Sequence, residues 1–158
     1  MSKSIRNLCY AALIAALYVA LTHLSNLFGL ANGAIQLRLS EVLTILPLLT
    51  PAAVPGLAVG CFLANLTTGC LLWDIIGGTA ATLLGALGTR YLSKSKWTGP
   101  LWPVLANMLI VPFVLQYAYQ LPGGYFYFVL TVGIGEVLSC GVLGIALYQV
   151  LGKTRLFK

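Results

Sequence analysis

The sequence predicts an all-α membrane protein with six transmembrane helices and both termini on the cytoplasmic side. Three observations carry this. Of its 158 residues, 59% are hydrophobic and only 8% charged, against about 45–50% and 25% in soluble globules. The apolar residues form six stretches broken by Gly-, Pro- or Lys-containing turns, and at about 20 residues per crossing six spans use roughly three-quarters of the chain. With an inner N-terminus, Lys3, Arg6, Arg90, Lys94, Lys96, Lys153, Arg155 and Lys158 all fall inside, as the positive-inside rule expects, and Arg38 alone falls outside. Residues 1–158 read as a single domain.

Span 1 runs from about Leu8 to Phe28 and is read as retained, because the apolar run continues too far for a cleaved leader. Its residues Ala11, Ala12, Ala15, Ala16 and Ala20 recur at three- and four-residue spacing, a face of minimal bulk suited to helix contact in lipid, within this chain or with another. Gly29-Leu30-Ala31-Asn32-Gly33 signals a loop. Span 2, about Leu37 to Leu49, is short for a crossing, and Thr50-Pro51-Ala52-Ala53-Val54-Pro55-Gly56 turns the chain into span 3, which ends near Gly69. Asp74 sits where an N-cap of span 4, about Asp74 to Leu92, belongs. Span 5 covers about Pro100 to Gln120, and Leu121-Pro122-Gly123-Gly124 leads into span 6, about Tyr125 to Leu151.

The stretch Gln36-Leu37-Arg38-Leu39-Ser40-Glu41 brings a cation and an anion into an apolar chain. On a helix Arg38 and Glu41 are three apart and share a face. Ionisable groups at membrane depth mark ligand, ion or proton paths; the plainer reading is an Arg at the headgroups with a Glu at the helix start. The predicted topology gathers further polar groups at outer or middle depth: Asn65 and Gln116 near the outer ends of spans 3 and 5, Asp74 entering span 4, and Glu136 about eleven residues, roughly 16 Å, into span 6. Asn107 is the exception in the inner half. The expectation is a pocket open to the outside and closed below. Around its mouth Tyr117, Tyr119, Tyr125, Phe126, Tyr127 and Phe128, with Trp73 at interface depth, either stack on a flat ligand or belong to an interfacial aromatic belt.

Composition also excludes functions. One His, no Asp pair at helical spacing and no His/Cys cluster leave no nucleophile–base set and no metal set, so the chain is not read as an enzyme. Cys9, Cys61, Cys70 and Cys140 lack Cys-x-x-Cys spacing and read as packing residues. The net charge of +6 is no nucleic-acid footprint, since the bases form no stripe with interleaved aromatics. No Gly-x-x-x-x-Gly-Lys-Ser/Thr loop occurs, so any ATP dependence comes from another chain. A secondary carrier using Glu41 and Glu136 as a relay and a substrate-capture subunit both remain.

The length, the six spans and the run Ala12-Leu13-Ile14-Ala15-Ala16 resemble the substrate-binding S components of energy-coupling factor (ECF) transporters. More narrowly, Ile35-Gln36-Leu37-Arg38-Leu39-Ser40-Glu41, Leu46-Pro47, Gly60-Cys61-Phe62-Leu63-Ala64-Asn65, Trp73-Asp74-Ile75-Ile76-Gly77 and Gly133-Ile134-Gly135-Glu136 resemble the QueT family of queuosine-precursor transporters. The resemblance implies capture of a 7-deazaguanine base, queuine or a similar precursor at a bacterial plasma membrane. It also implies a transmembrane coupling subunit meeting the face Ala11, Ala12, Ala15 and Ala16, two ATPase subunits that hydrolyse the ATP, and no cofactor on this chain. From chemistry alone, a guanine-like edge offers two adjacent donors that one carboxylate accepts in full. Glu41, Asp74 and Glu136 are the candidates for that role, and together with the polar and aromatic groups placed around the pocket the candidate substrate-binding residues are Arg38, Glu41, Asn65, Trp73, Asp74, Gln116, Tyr117, Tyr125 and Glu136.

Overall fold

Fold and site are described from a computed structural model, which covers residues 2–30 and 36–154. Ala31, Asn32, Gly33 and Ile35 of the expected loop and motif, and Arg155 and Lys158 of the basic C-terminus, lie outside the described residues. Among the described residues the chain is all-helical with no strand: α1 (Lys3–Leu27), a 3-10 helix (Leu39–Leu48), α2 (Ala53–Thr67), α3 (Leu72–Tyr91), α4 (Leu101–Phe113), α5 (Tyr125–Glu136) and α6 (Gly144–Gly152). π turns extend α4 through Val114–Ala118 and join α5 to α6 through Val137–Leu143. Three continuous helices, Lys3–Leu27, Leu101–Ala118 and Tyr125–Gly152, are long and apolar enough to cross a membrane, and Leu39–Leu48 and Ala53–Thr67 are shorter apolar helices. A membrane protein fits this composition.

The helices start and stop where local chemistry dictates. Ser2 caps α1 by accepting from the Ile5 amide, and Gly29, at φ +67°, supplies the left-handed residue that ends it. Buried positions of α2 (Ala53, Gly56, Leu57, Gly60, Cys61, Ala64, Asn65) repeat at three- and four-residue spacing, one stripe facing the protein. Consecutive helices pack as neighbours, α1 on α2, α2 on α3, α3 on α4 and α4 on α5.

The alanine face of α1 divides between two environments. A Cβ on Gly56 would lie 2.7 Å from the Ala11 carbonyl oxygen, and one on Gly60 would lie 3.0 Å from the Ala15 Cα and 2.7 Å from the Tyr18 Cβ. The two glycines thus admit the α1 backbone at Ala11 and Ala15, the close small-residue packing that holds helices together in lipid. That contact occupies Ala11 and Ala15 internally, which corrects their assignment to a partner face. Ala12 and Ala16 remain exposed on the outer side.

The expected second span is no α-helix. Over Leu39–Leu48 the chain winds as a 3-10 helix with seven of its ten residues buried, wedged against α1, α3, α6 and the π turns after α5. Its ends are tied to different helices: the Leu39 amide donates to Ser25 Oγ at 2.9 Å, and Arg90 Nη1 donates to the Pro47 carbonyl at 3.0 Å. At about 2.0 Å per residue a 3-10 helix stretches ten residues over about 20 Å, against about 15 Å for α. The tighter winding lets a short segment reach both anchors. Pro47, which has no amide hydrogen, and Thr44, whose hydroxyl donates to the Glu41 carbonyl at 2.6 Å, both sit within it.

Candidate functional site

The site is built on the antiparallel pairing of α4 and α5. Phe128 and Val132 of α5 pack against Leu115 and Val111 in one buried cluster. A step of four down α5 from Val132 reaches Glu136, and a step of four back along α4 from Val111 reaches Asn107, so the same two faces bring Glu136 opposite Asn107. Both are buried, at 7% and 1% exposure, and the Asn107 amide lies close enough to act on the Glu136 carboxylate. Asn107 Nδ2 nevertheless has no hydrogen-bond partner among the described residues.

Glu41, 1% exposed, reaches the same centre from the 3-10 helix. Tyr18 of α1, itself buried, donates its hydroxyl hydrogen to Glu41 Oε1, while Glu41 Oε2 has no partner among the described residues. Cys140, one turn beyond Glu136, donates to Glu136 Oε2 at 3.1 Å, and Thr44 Oγ1 lies 3.3 Å from Cys140 Sγ. The hydroxyls of Ser40 and Ser139 are also buried without partners. Buried polar atoms are satisfied in the great majority of cases, so a group of orphans on adjoining elements marks a place where something else supplies the bonds. The π turns after Glu136 are of the kind that recurs at functional sites.

Above this centre lies a polar cleft of about 410 Å³, lined by Asn26, Gln36, Arg38, Asp74 and Tyr119 among others, within the range of small-molecule sites. Arg38 Nη2 stands 4.0 Å from Asp74 Oδ2, and the Tyr119 hydroxyl donates to Asp74 Oδ2 at 3.0 Å while accepting from the Leu71 amide at 3.2 Å. The expected Arg38–Glu41 pair is therefore replaced. Arg38 precedes the 3-10 helix in extended conformation, so its side chain parts from Glu41 and turns to α3. Asp74 is not the N-cap either: Leu71 holds that place, and Asp74 sits in the first turn facing Arg38 and Tyr119.

Other expected residues lie elsewhere. Asn65 is buried and donates its amide to the Asp74 carbonyl at 3.4 Å, bracing the start of α3 rather than facing the cleft. Gln116 lies in the π turns with Oε1 buried and unpartnered. Trp73 and Tyr117, 69% and 68% exposed, line an apolar groove of about 470 Å³ with Phe113. The Tyr125 ring centroid lies 4.6 Å from that of Phe113, and its hydroxyl donates to the Leu109 carbonyl. These three aromatics face away from the polar cleft, as a belt would, and Tyr119 is the aromatic that lines it. Tyr18 is not singled out by the sequence, Asn107 stands out there only as the polar exception of the inner half, and Cys140 reads as a packing residue. The α4/α5 spacing contained a signal for Asn107, because a polar residue four positions from a core Val on an apolar helix stays on the core face.

Glu41, Glu136 and Cys140 offer ligand atoms all within 4.8 Å of one another. Zinc accepts carboxylate and thiolate ligands together, but only as the thiolate, and Cys140 keeps its proton as a donor to Glu136. A ligand with its own donors suits the arrangement better.

The sequence matches the QueT transporter family over residues 8–153. It is 30% identical over 94 residues to the queuosine precursor transporter QueT of Lactococcus lactis subsp. cremoris (strain MG1363), a match covering 57% of this chain and 56% of that protein, so the chain aligns with about half the length of this curated relative. No solved structure matches. With a family match over nearly its whole length, the chain belongs to the QueT transporter family.

Proposed function

We propose that this chain is the substrate-capture S component of an ECF importer, binding a queuosine precursor from outside a bacterial cell. In this reading all six helical segments cross or line the membrane with both termini cytoplasmic, the Arg38–Asp74 cleft is the outer mouth, and the Glu41–Glu136 centre is its floor. The observation that carries the substrate class is Glu136 opposite the unpartnered Asn107 amide. A 7-deazaguanine edge presents two N–H donors beside a carbonyl; the carboxylate accepts the two donors and Asn107 Nδ2 donates to the carbonyl, which partners the orphan atom. The coupling subunit and the two ATPase subunits supply the energy, and this chain hydrolyses nothing and holds no cofactor of its own.

Reconstitution into vesicles tests this reading. The chain alone is expected to bind the base without accumulating it, whereas concentrative uptake driven only by a proton or sodium gradient would replace the capture reading with a secondary carrier using the two glutamates as a relay.

The partner face is proposed at Ala12 and Ala16, the part of the alanine stripe that α2 leaves uncovered. Ala16→Trp adds bulk there while the site on the far side of α1 is untouched. Transport with the coupling and ATPase subunits present should fall by about tenfold or more, equivalent to about 1.4 kcal/mol of lost association, with base affinity retained. Lost affinity in a folded protein would show the face to be internal.

A further inference from the structure

A tyrosine only 1% exposed on an apolar helix needs a partner for its hydroxyl, and Tyr18 of α1 finds it in Glu41, 23 positions away on the 3-10 helix. We infer that Tyr18 is a positioning residue for substrate capture: resting on the capture reading above, it holds the Glu41 carboxylate so that Oε2 is presented to an N–H of the bound base, and it acts through Glu41 without touching the base itself. The division of the two oxygens carries this. Tyr18 takes Oε1, and Oε2 is buried with no partner among the described residues. The phenol therefore does not compete with a ligand for the free oxygen.

Packing fixes the donor. At the root of Tyr18 the α1 backbone lies so close to α2 that a Cβ on Gly60 would meet the Tyr18 Cβ at 2.7 Å, and one turn on the Thr22 hydroxyl donates to the Tyr18 carbonyl at 2.9 Å. Ile14, Leu43, Leu57 and Cys61 share the buried cluster to which Tyr18 belongs, and a close-packed interior leaves a ring little room to swing. Glu41 has no comparable support from its own segment. It lies in the first turn of the 3-10 helix, shortly after Arg38, whose extended backbone sends the guanidinium to Asp74 instead. A glutamate loses much rotamer freedom when it is ordered, and a site in which that ordering precedes binding keeps more of the interaction energy as affinity. Tyr18 supplies the ordering from a neighbouring helix. Glu136 with Asn107 is then the edge reader, and Glu41, whose carboxylate lies within 4.8 Å of that of Glu136, accepts a remaining N–H of the base.

The test is calorimetric titration of the purified full chain in detergent with whichever of queuine and 7-deazaguanine the parent binds more tightly. Tyr18→Phe keeps the ring and removes the hydroxyl, and its affinity is expected to fall about three- to tenfold, the cost of ordering one long side chain on binding. Glu41→Ala removes the group through which Tyr18 acts, so adding Tyr18→Phe to it should change affinity by less than about twofold. Thr22→Val deletes the hydrogen bond one turn along α1 and should bind like the parent. Parent affinity in Tyr18→Phe or in Glu41→Ala overturns the inference, as does tighter binding by Tyr18→Phe, which would make the phenol a competitor for the carboxylate. An equal fold-loss from Tyr18→Phe in both backgrounds, or a loss from Thr22→Val that matches it, also overturns the inference, because Tyr18 would then only hold α1 in place. Where Glu41→Ala fails to fold or binds too weakly to titrate, the Thr22→Val comparison decides. Each of these outcomes leaves the capture reading standing; if the parent binds neither base, that reading falls and takes the inference with it.

Discussion

Glu136→Gln is expected to lose most of the affinity for a 7-deazaguanine base, while Arg38→Ala loses part of it. Glu136 is buried opposite Asn107, and the amide offers one acceptor where the base edge needs two, besides exchanging a charged partner for a neutral one. Removing a buried charge-assisted partner costs more than about 2 kcal/mol, about 30-fold in affinity. Arg38 instead pairs with Asp74 across 4.0 Å at the wall of the cleft, where both side chains retain some exposure. Arg38→Ala leaves the buried Asp74 carboxylate with the Tyr119 hydroxyl as its remaining partner among the described residues, so it is expected to cost affinity, but less than the loss of the base's own acceptor at Glu136. Titrating both variants with one base decides the matter: equal losses, or a Glu136→Gln protein that binds normally, would remove Glu136 from the role of edge reader.

The second large effect is expected from Gly135→Ala. A Cβ at this position would fall on the Gln36 carbonyl oxygen, a backbone atom with no side-chain freedom to yield. The collision pushes α5 away from the segment that leads through Arg38 to Glu41, and overpacking of this kind costs about 1–3 kcal/mol. Melting temperature and base affinity should fall together, because Glu136 adjoins the displaced glycine. Gly141→Ala is the control. Its Cβ would meet Val137 Cγ1 at 3.8 Å, an ordinary contact, so this variant should melt and bind like the parent. A Gly135→Ala protein with unchanged stability and affinity would mean that the contact between Gln36 and α5 does not organise the site.

Much of the helical layout follows from local chemistry and is therefore legible in sequence. The spans expected at about Asp74 to Leu92, Pro100 to Gln120 and Tyr125 to Leu151 are observed as helical segments Leu72–Tyr91, Leu101–Ala118 and Tyr125–Gly152, since apolar length and Gly/Pro punctuation act within a few residues. The membrane class is equally a matter of composition. The stretch Gln36 to Glu41 stands out in sequence because charge is rare in this chain.

Tertiary structure alone decided how those charges pair. Arg38 and Glu41 are three residues apart, which on an α-helix makes them neighbours, but anchors at Ser25 and Arg90 stretch the segment into a 3-10 helix and leave Arg38 extended at its start. The guanidinium then meets Asp74, and Glu41 meets Tyr18, a residue 23 positions away on another helix. In the same way the alanine stripe of α1 was plain in sequence, but only the glycines of α2 determine that Ala11 and Ala15 are taken internally and Ala12 and Ala16 are not. Periodicity tells which residues share a face. Which partner that face meets depends on the path of distant segments, and that is where the physical reason lies outside any local window.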